Sequence, residues 1–127
     1  MDKAEMVQLT DAFLGAWNTQ DVDRVLACYT DDLVYRDPNT RGAVEGSHAM
    51  RRYLTKLFAG WRMHWERKEA RLFEGGKGAA VLWHASFRRP VGELTVEVDG
   101  MDFVEVRDGR LARNEVYFDR ALLMPLL

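Results

Sequence analysis

The sequence contains one cysteine, Cys28, among its 127 residues. A single thiol cannot form an internal disulfide, so nothing indicates an oxidising compartment. The chain also lacks an apolar run approaching the ~20 residues of a membrane span, and its first residues are too charged for a signal peptide. A basic surplus is missing too, since 18 Lys and Arg stand against 20 Asp and Glu. We therefore predict a cytoplasmic protein that binds neither nucleic acid nor membranes.

What is present is an ordinary globular composition. Apolar residues make up 47% of the chain and charged residues 30%, which excludes intrinsic disorder. A chain of this length suits one domain and leaves no room for two. We therefore predict a single domain that spans residues 1–127.

The first half of the chain has the periodicity of helices. Apolar residues recur every three or four positions after Asp2, after Asp21 and after Gly46. Asp2 and Glu5 have the spacing of a capping box, and Asp21 is a good N-cap residue. A short segment rich in β-formers, residues 33–38, separates the second and third helices.

The second half alternates like a sheet. Candidate strands cover roughly 62–73, 79–89, 94–107 and 110–118. Asp108-Gly109 is a strong hairpin signal between the last two strands. Helices followed by an antiparallel meander define an α+β fold.

Asp102 is the carboxylate that the strand pattern isolates. Residues with its parity in strand 94–107 are otherwise one leucine, four valines and one glycine, so it lies on an apolar face. A charge there costs several kcal/mol unless it is paired or protonated. Two interpretations stay open, a structural acid bonded to a neighbour or a functional group.

The strand register decides what surrounds Asp102. A two-residue turn at Asp108-Gly109 would place Glu115 opposite it, with Arg113 and Tyr117 on the same face. A bulge would change this register. We interpret this cluster as a polar part of a pocket wall.

Asp37 is the second acid of interest, with the parity of the core-facing Leu33 and Tyr35. An Asp before a proline is also a common turn former, so both roles stay open. His48 begins the third helix, either at a pocket or exposed. The histidines have no metal-ligand spacing, and we expect neither a metal nor an organic cofactor.

Aromatic residues are plentiful, with four Trp, four Tyr and six Phe. They either fill a core or line an apolar cavity between the helices and the sheet. The predicted pocket residues, besides the acids Asp37, Asp102 and Glu115, are Phe13, Trp17, Tyr35, His48, Trp83 and Tyr117.

Three segments resemble the NTF2-like superfamily, in its SnoaL-like and ketosteroid-isomerase-like branches. Residues 13–18 resemble the end of its first helix, residues 29–38 its Asp-Pro segment, and residues 103–111 its closing hairpin. The resemblance covers essentially the whole chain. It implies an α+β cone with three N-terminal helices packed on a curved antiparallel β-sheet.

The resemblance also implies roles for individual residues. Asp37 corresponds to the general base of ketosteroid isomerases, and Asp102 to their protonated oxyanion-hole acid. Phe13 stands where those enzymes have a tyrosine. Val116 stands where limonene-epoxide hydrolases have an acid, so neither pattern is complete.

From the residues and the resemblance together, we predict an enzyme with a hydrophobic pocket for a small apolar or carbonyl-containing molecule. It would transfer a proton next to a carbonyl, as isomerases, cyclases and dehydratases do, with Asp37 as base and Asp102 at the enolate oxygen. The alternative is a non-catalytic module of the same fold that binds a ligand or serves dimerisation. We also expect a homodimer through the outer face of the sheet, near Leu72 and Leu82.

Overall fold

A computed structural model describes all residues from Met1 to Leu127. The first half forms α1 (Lys3–Thr19), α2 (Val22–Leu26), β1 (Tyr29–Arg36), β2 (Val44–Glu45) and α3 (Gly46–Gly60). The second half forms β3 (Arg62–Leu72), β4 (Gly78–Arg88), β5 (Val96–Arg107), β6 (Arg110–Tyr117) and a 3₁₀ helix (Arg120–Leu126). The predicted three helices and four-stranded meander are confirmed, and β2 and the 3₁₀ helix are additions to them.

The six strands form one open, curved sheet in the order β2-β1-β6-β5-β4-β3. The meander β3 to β6 is antiparallel, whereas β1 runs parallel to β6. The sheet of this α+β cone is therefore mixed rather than purely antiparallel. The parallel pairing brings the end of β1, and with it Asp37, beside the inner face of β6.

Two amide side chains fix the end of α1 to the edge strand β3. Asn18 Nδ2 donates to the carbonyl of Trp65 at 2.9 Å, and Asn18 Oδ1 accepts from its N–H at 2.7 Å. Gln20 forms a similar pair of bonds near the start of β3. Its Nε2 donates to the carbonyl of Trp61, and its Oε1 accepts from the N–H of Met63. These bonds satisfy backbone groups of an edge strand that would otherwise lie open.

The core lies between the helices and the concave face of the sheet. Helix α1 packs on β3, and α3 packs on β1. The largest fully buried side chains include Trp83, Tyr29 and Phe13. None of the helices combines the length and the apolar character needed to cross a membrane.

Candidate active site

An apolar cavity of about 30 Å³ lies between the helices and the sheet. Ten of its fourteen lining residues are hydrophobic, and Asp37 and Asp102 are both among the fourteen. A water molecule needs roughly 10–15 Å³ of such space, so the cavity holds about two water-sized groups. A wider cleft of about 510 Å³ adjoins it, and Asn39 and Leu57 line both spaces.

Asp102 lies on β5 and is only 4% exposed. Its Oδ1 accepts a hydrogen bond from Trp83 Nε1 at 2.8 Å, and its Oδ2 accepts one from Asn114 Nδ2 at 3.2 Å. Burial raises the pKa of Asp102 to about 6, because the ionised form loses its hydration. The two hydrogen bonds act against this shift, and the charge of Asp37 adds to it.

A buried hydrogen-bond chain fixes the orientation of the Asn114 amide. The indole of Trp17 can only donate, and its Nε1 bonds to Tyr29 Oη at 3.1 Å. Tyr29 must then give its own proton to Asn114 Oδ1, at 2.6 Å. The Asn114 Nδ2 group is left to face Asp102 as a donor.

This chain determines where Asp102 carries its proton. Neither the Trp83 indole nor the Asn114 Nδ2 group can accept a hydrogen bond. When Asp102 is protonated, its O–H must therefore use a lone pair that faces neither partner. Asp102 is also one of the residues that line the cavity.

Asp37 has a different environment, with four donors on its carboxylate. Its Oδ2 accepts from Tyr35 Oη at 2.6 Å and also from Tyr53 Oη. Its Oδ1 accepts from the backbone N–H groups of Asn39 at 2.7 Å and Thr40 at 3.1 Å. Burial, together with the Asp37 charge, raises the pKa of both phenols, so the tyrosines stay protonated donors.

The structure separates the predicted pocket residues into three groups. Phe13, Trp17 and Tyr35 line the cavity together with the two aspartates. Trp83 lies in the core and bonds to Asp102, but it does not line the cavity. The remaining three do not line the cavity; they are Glu115, Tyr117 and His48.

The predicted cluster of Glu115 and Tyr117 opposite Asp102 is wrong. The β5–β6 register shifts between Glu105 and Val106, so Val116 is the partner of Asp102. This one-residue bulge moves Glu115 and Tyr117 to the outer face, where Tyr117 Oη donates to Glu115 Oε2 at 2.9 Å.

His48 is exposed in the first turn of α3 and does not line the cavity, so the pocket interpretation of this residue is wrong as well. Conversely, several residues at the site were not predicted, among them the polar Asn39, Tyr53 and Asn114. Asn114 could have been noticed as an amide among apolar residues in a predicted strand. The face of the sheet on which it lies, however, depends on the bulge.

The fold and the site together define a small α+β cone protein with two acids at an apolar cavity. The family model for the SnoaL-like domain matches residues 10–114, and the chain belongs to that family. The predicted SnoaL-like, NTF2-like resemblance is thereby confirmed.

Known relatives of this chain include enzymes. It is 33% identical over 109 residues to "Epoxide hydrolase EphG" of Mycobacterium tuberculosis, covering 86% of this chain and 70% of that protein. The solved structure of the epoxide hydrolase/cyclase-like enzyme SalBIII superimposes with a TM-score of 0.81 at 19% identity, covering 94% and 95% of the two chains. TerC, co-crystallized with polyporic acid, superimposes with a TM-score of 0.80 at 18% identity, covering 96% and 97%. The two structural likenesses show the shared fold.

Proposed function

We propose that this protein is an enzyme that transfers a proton next to a carbonyl group of a small molecule, as isomerases, cyclases and dehydratases do. The observation that carries the proposal is the buried Asp102 carboxyl at the cavity, with a pKa of about 6. A general base works best when its pKa lies near the working pH. The proposed chemistry uses side chains alone.

The hydrogen bonds favour Asp102 rather than Asp37 as the base, which revises the role expected from the sequence. Both oxygens of Asp37 already accept two hydrogen bonds each, which leaves no lone pair free for a substrate proton. Each oxygen of Asp102 accepts only one. In the proposal, Asp37 holds Tyr35 and Tyr53 in place, and its charge raises the proton affinity of Asp102.

In the proposed reaction, the proton moves only between the substrate and Asp102. Asp102 takes a proton from the carbon next to the carbonyl, and the C–H electron pair forms the double bond of an enolate. Asn39 lines the cavity, and its side-chain Nδ2 has no hydrogen-bond partner within the protein. It is our candidate donor to the enolate oxygen, a type of interaction typically worth 10²–10³ in rate. Asp102 then returns the proton to another carbon or to a leaving group.

A second candidate is the hydrolysis of an epoxide. Two observations favour it: the EphG relative at 33% identity, and a cavity that has room for a water molecule beside Asp102. Asp102 would then activate that water. The directly paired position, Val116, carries no second acid for the epoxide oxygen, and for this reason we rank epoxide hydrolysis second.

Both candidates can be tested in one set of assays. Small ketones and enones are incubated in D₂O and followed by NMR for deuterium uptake, and cyclohexene oxide is followed for diol formation. Asp102→Asn is compared with Asp99→Asn, which changes an exposed acid on the same strand. We expect Asp102→Asn to lose about 10²–10⁴ in rate while Asp99→Asn keeps it, and the rate to rise with pH and level off above pH 6.

The outcomes separate the candidates. Deuterium uptake that depends on Asp102 supports the carbonyl reaction, and diol formation that depends on Asp102 supports the hydrolase instead. Full activity of Asp102→Asn would refute Asp102 as the base. Ligand binding without any turnover would favour the non-catalytic module.

A further inference from the structure

Four basic side chains converge on the cleft beside the cavity. Arg41, Lys56, Arg89 and Arg120 line it, and no Asp or Glu side chain does. None of the four forms a salt bridge anywhere in the protein. Leu127 also lines the cleft, and its terminal carboxylate is not ion-paired with any of them. The cleft therefore brings together four cations, none of which forms a salt bridge.

Two of these cations are held in place by neutral groups. Arg89 donates to the carbonyls of Leu126 at 3.0 Å and Gly60 at 2.9 Å, and its guanidinium lies 3.9 Å from the Trp61 ring centroid. Arg120 donates from Nε to Asn39 Oδ1 at 2.8 Å. These contacts fix the guanidinium groups but leave them without a salt bridge and with further N–H donors available.

The cleft leads toward the two acids. Asn39 and Leu57 lie between it and the cavity, since both residues line both spaces. Tyr53 also lines the cleft, while its hydroxyl bonds to Asp37. At about 510 Å³ the cleft has the usual size of a ligand pocket, whereas the cavity has room only for a reacting group.

We propose that the cleft binds the oxyanion group, a carboxylate or a phosphate, of a small molecule whose apolar part points past Asn39 and Leu57 to Asp102. This inference rests on the proposed function for the reacting end of the molecule. Charge-assisted hydrogen bonds from arginine and lysine are the usual means of holding such anions. Leu57, which is half-buried between the two spaces, must shift for the apolar part to enter.

The test is a binding titration by NMR at low salt with matched probes. The probes are 4-phenylbutyrate, its neutral analogue 4-phenylbutanol, phenyl phosphate and inorganic phosphate. The test variant is Arg41→Gln/Lys56→Gln, since neither side chain has a hydrogen-bond role in the protein. The control is Arg24→Gln/Lys3→Gln, which removes the same charge at exposed, unpaired positions outside the cleft.

We expect the affinity for 4-phenylbutyrate or phenyl phosphate to fall about tenfold or more in the test variant, and less than about twofold in the control. Binding of 4-phenylbutanol should be equal in all three proteins. The better of the two anionic probes identifies the oxyanion. Equal affinity for the acid and the alcohol, or an equal loss in the control, would overturn the inference, and so would inorganic phosphate binding as tightly as phenyl phosphate.

The titration does not depend on catalysis, so the two proposals fail separately. Anion binding that depends on Arg41 and Lys56 supports the cleft even if Asp102→Asn keeps full activity, in which case only the proposed function is refuted.

Discussion

Asp37 and Asp102 face one cavity, yet the partners of their carboxylates differ. Asp37 accepts four hydrogen bonds, two of them from phenols, and Asp102 accepts two. The difference follows from position, because Asp37 begins a turn whose backbone N–H groups point at it, whereas Asp102 lies in mid-strand among apolar side chains. The lone pairs of the Asp37 carboxylate are therefore all occupied, whereas those of Asp102 are only partly occupied.

This contrast predicts that replacing each aspartate by asparagine changes the stability by different amounts. Asp37→Asn should lose about 2 kcal/mol or more of unfolding free energy at pH 7.5, because charge-assisted bonds are lost. Asp102→Asn should change it by less than about 1 kcal/mol, because relief of a buried charge offsets a new clash with an N–H donor. Urea unfolding measures both, with the exposed Asp31→Asn as control. Equal losses for the two variants would contradict the contrast.

Parity along β5 was enough to single out Asp102 from the sequence, because one face of that strand is otherwise apolar. Tyr53 was not predicted as a site residue because its spacing on α3 is that of a core residue. Only the fold shows that its hydroxyl bonds to Asp37. Asn114 was not predicted as a site residue for another reason. Its face is set by a bulge, and a bulge leaves no mark in the alternation of side chains.

At the scale of elements, the β5–β6 hairpin shows what a turn motif can predict. The Asp108-Gly109 turn has positive φ at both residues, as a two-residue hairpin requires, and Arg107 pairs with Arg110 as expected. The bulge then shifts all pairs further from the turn by one residue. The hairpin was predictable, but the side chains facing Asp102 were not.

The β4–β5 pair supports Asp102 through a glycine. Gly100 is the cross-strand partner of Trp83, and a Cβ atom there would overlap the indole ring and lie 2.7 Å from the Tyr117 carbonyl oxygen. The absence of a side chain lets the indole lie close to β5 and reach Asp102.

We therefore expect Gly100→Ala to displace Trp83, weaken its bond to Asp102 and cost about 1–3 kcal/mol or more of stability. The control is Gly15→Ala in α1, where a Cβ meets nothing within 4 Å. It should stabilise the protein by roughly 0.5–1 kcal/mol, because alanine is the better helix former. Thermal unfolding and indole NMR shifts report both effects, and an unshifted Trp83 signal in Gly100→Ala would argue against this role for the glycine.

At the scale of the whole molecule, element order was predictable because capping residues, periodicity and turn chemistry agree along the chain. Asp2 forms its capping box with Glu5, and Asp21 caps α2. The parallel pairing of β1 with β6 was not derivable in this way, since it joins segments about 80 residues apart. It is nonetheless this pairing that brings the two acids together.

We propose that the outer face of the sheet is the interface of a homodimer. Leu82 is 37% exposed there, beside His84, which bonds to Glu97 and Asp99. We expect a homodimer through this face at about tens of micromolar, and a monomer for Leu82→Lys. Leu94→Lys, which changes an exposed leucine outside the strands, should leave the dimer intact. Sedimentation that shows a wild-type monomer would refute the dimer.

Burial of Asp102 also predicts how stability depends on pH. Its folded pKa of about 6 lies above the ordinary value of 3.8, so the folded state binds the proton more tightly than the unfolded state. The contribution of Asp102 to stability is therefore fully present below pH 4 and is lost as the pH rises to about 6. The loss is about 3 kcal/mol. Urea unfolding of wild type relative to Asp102→Asn between pH 4 and 7 should show it, and parallel curves would contradict it.

The most direct test of the account is a carboxyl ¹³C NMR titration of Asp102, assigned with Asp102→Asn. We predict a midpoint near pH 6, moved upward by Asn114→Ala, which removes a donor to the ionised form. Tyr29→Phe, one bond further along the chain, should move it less. A midpoint near pH 4, insensitive to Asn114, would mean that Asp102 is solvated like a surface acid and would contradict its proposed role as the base.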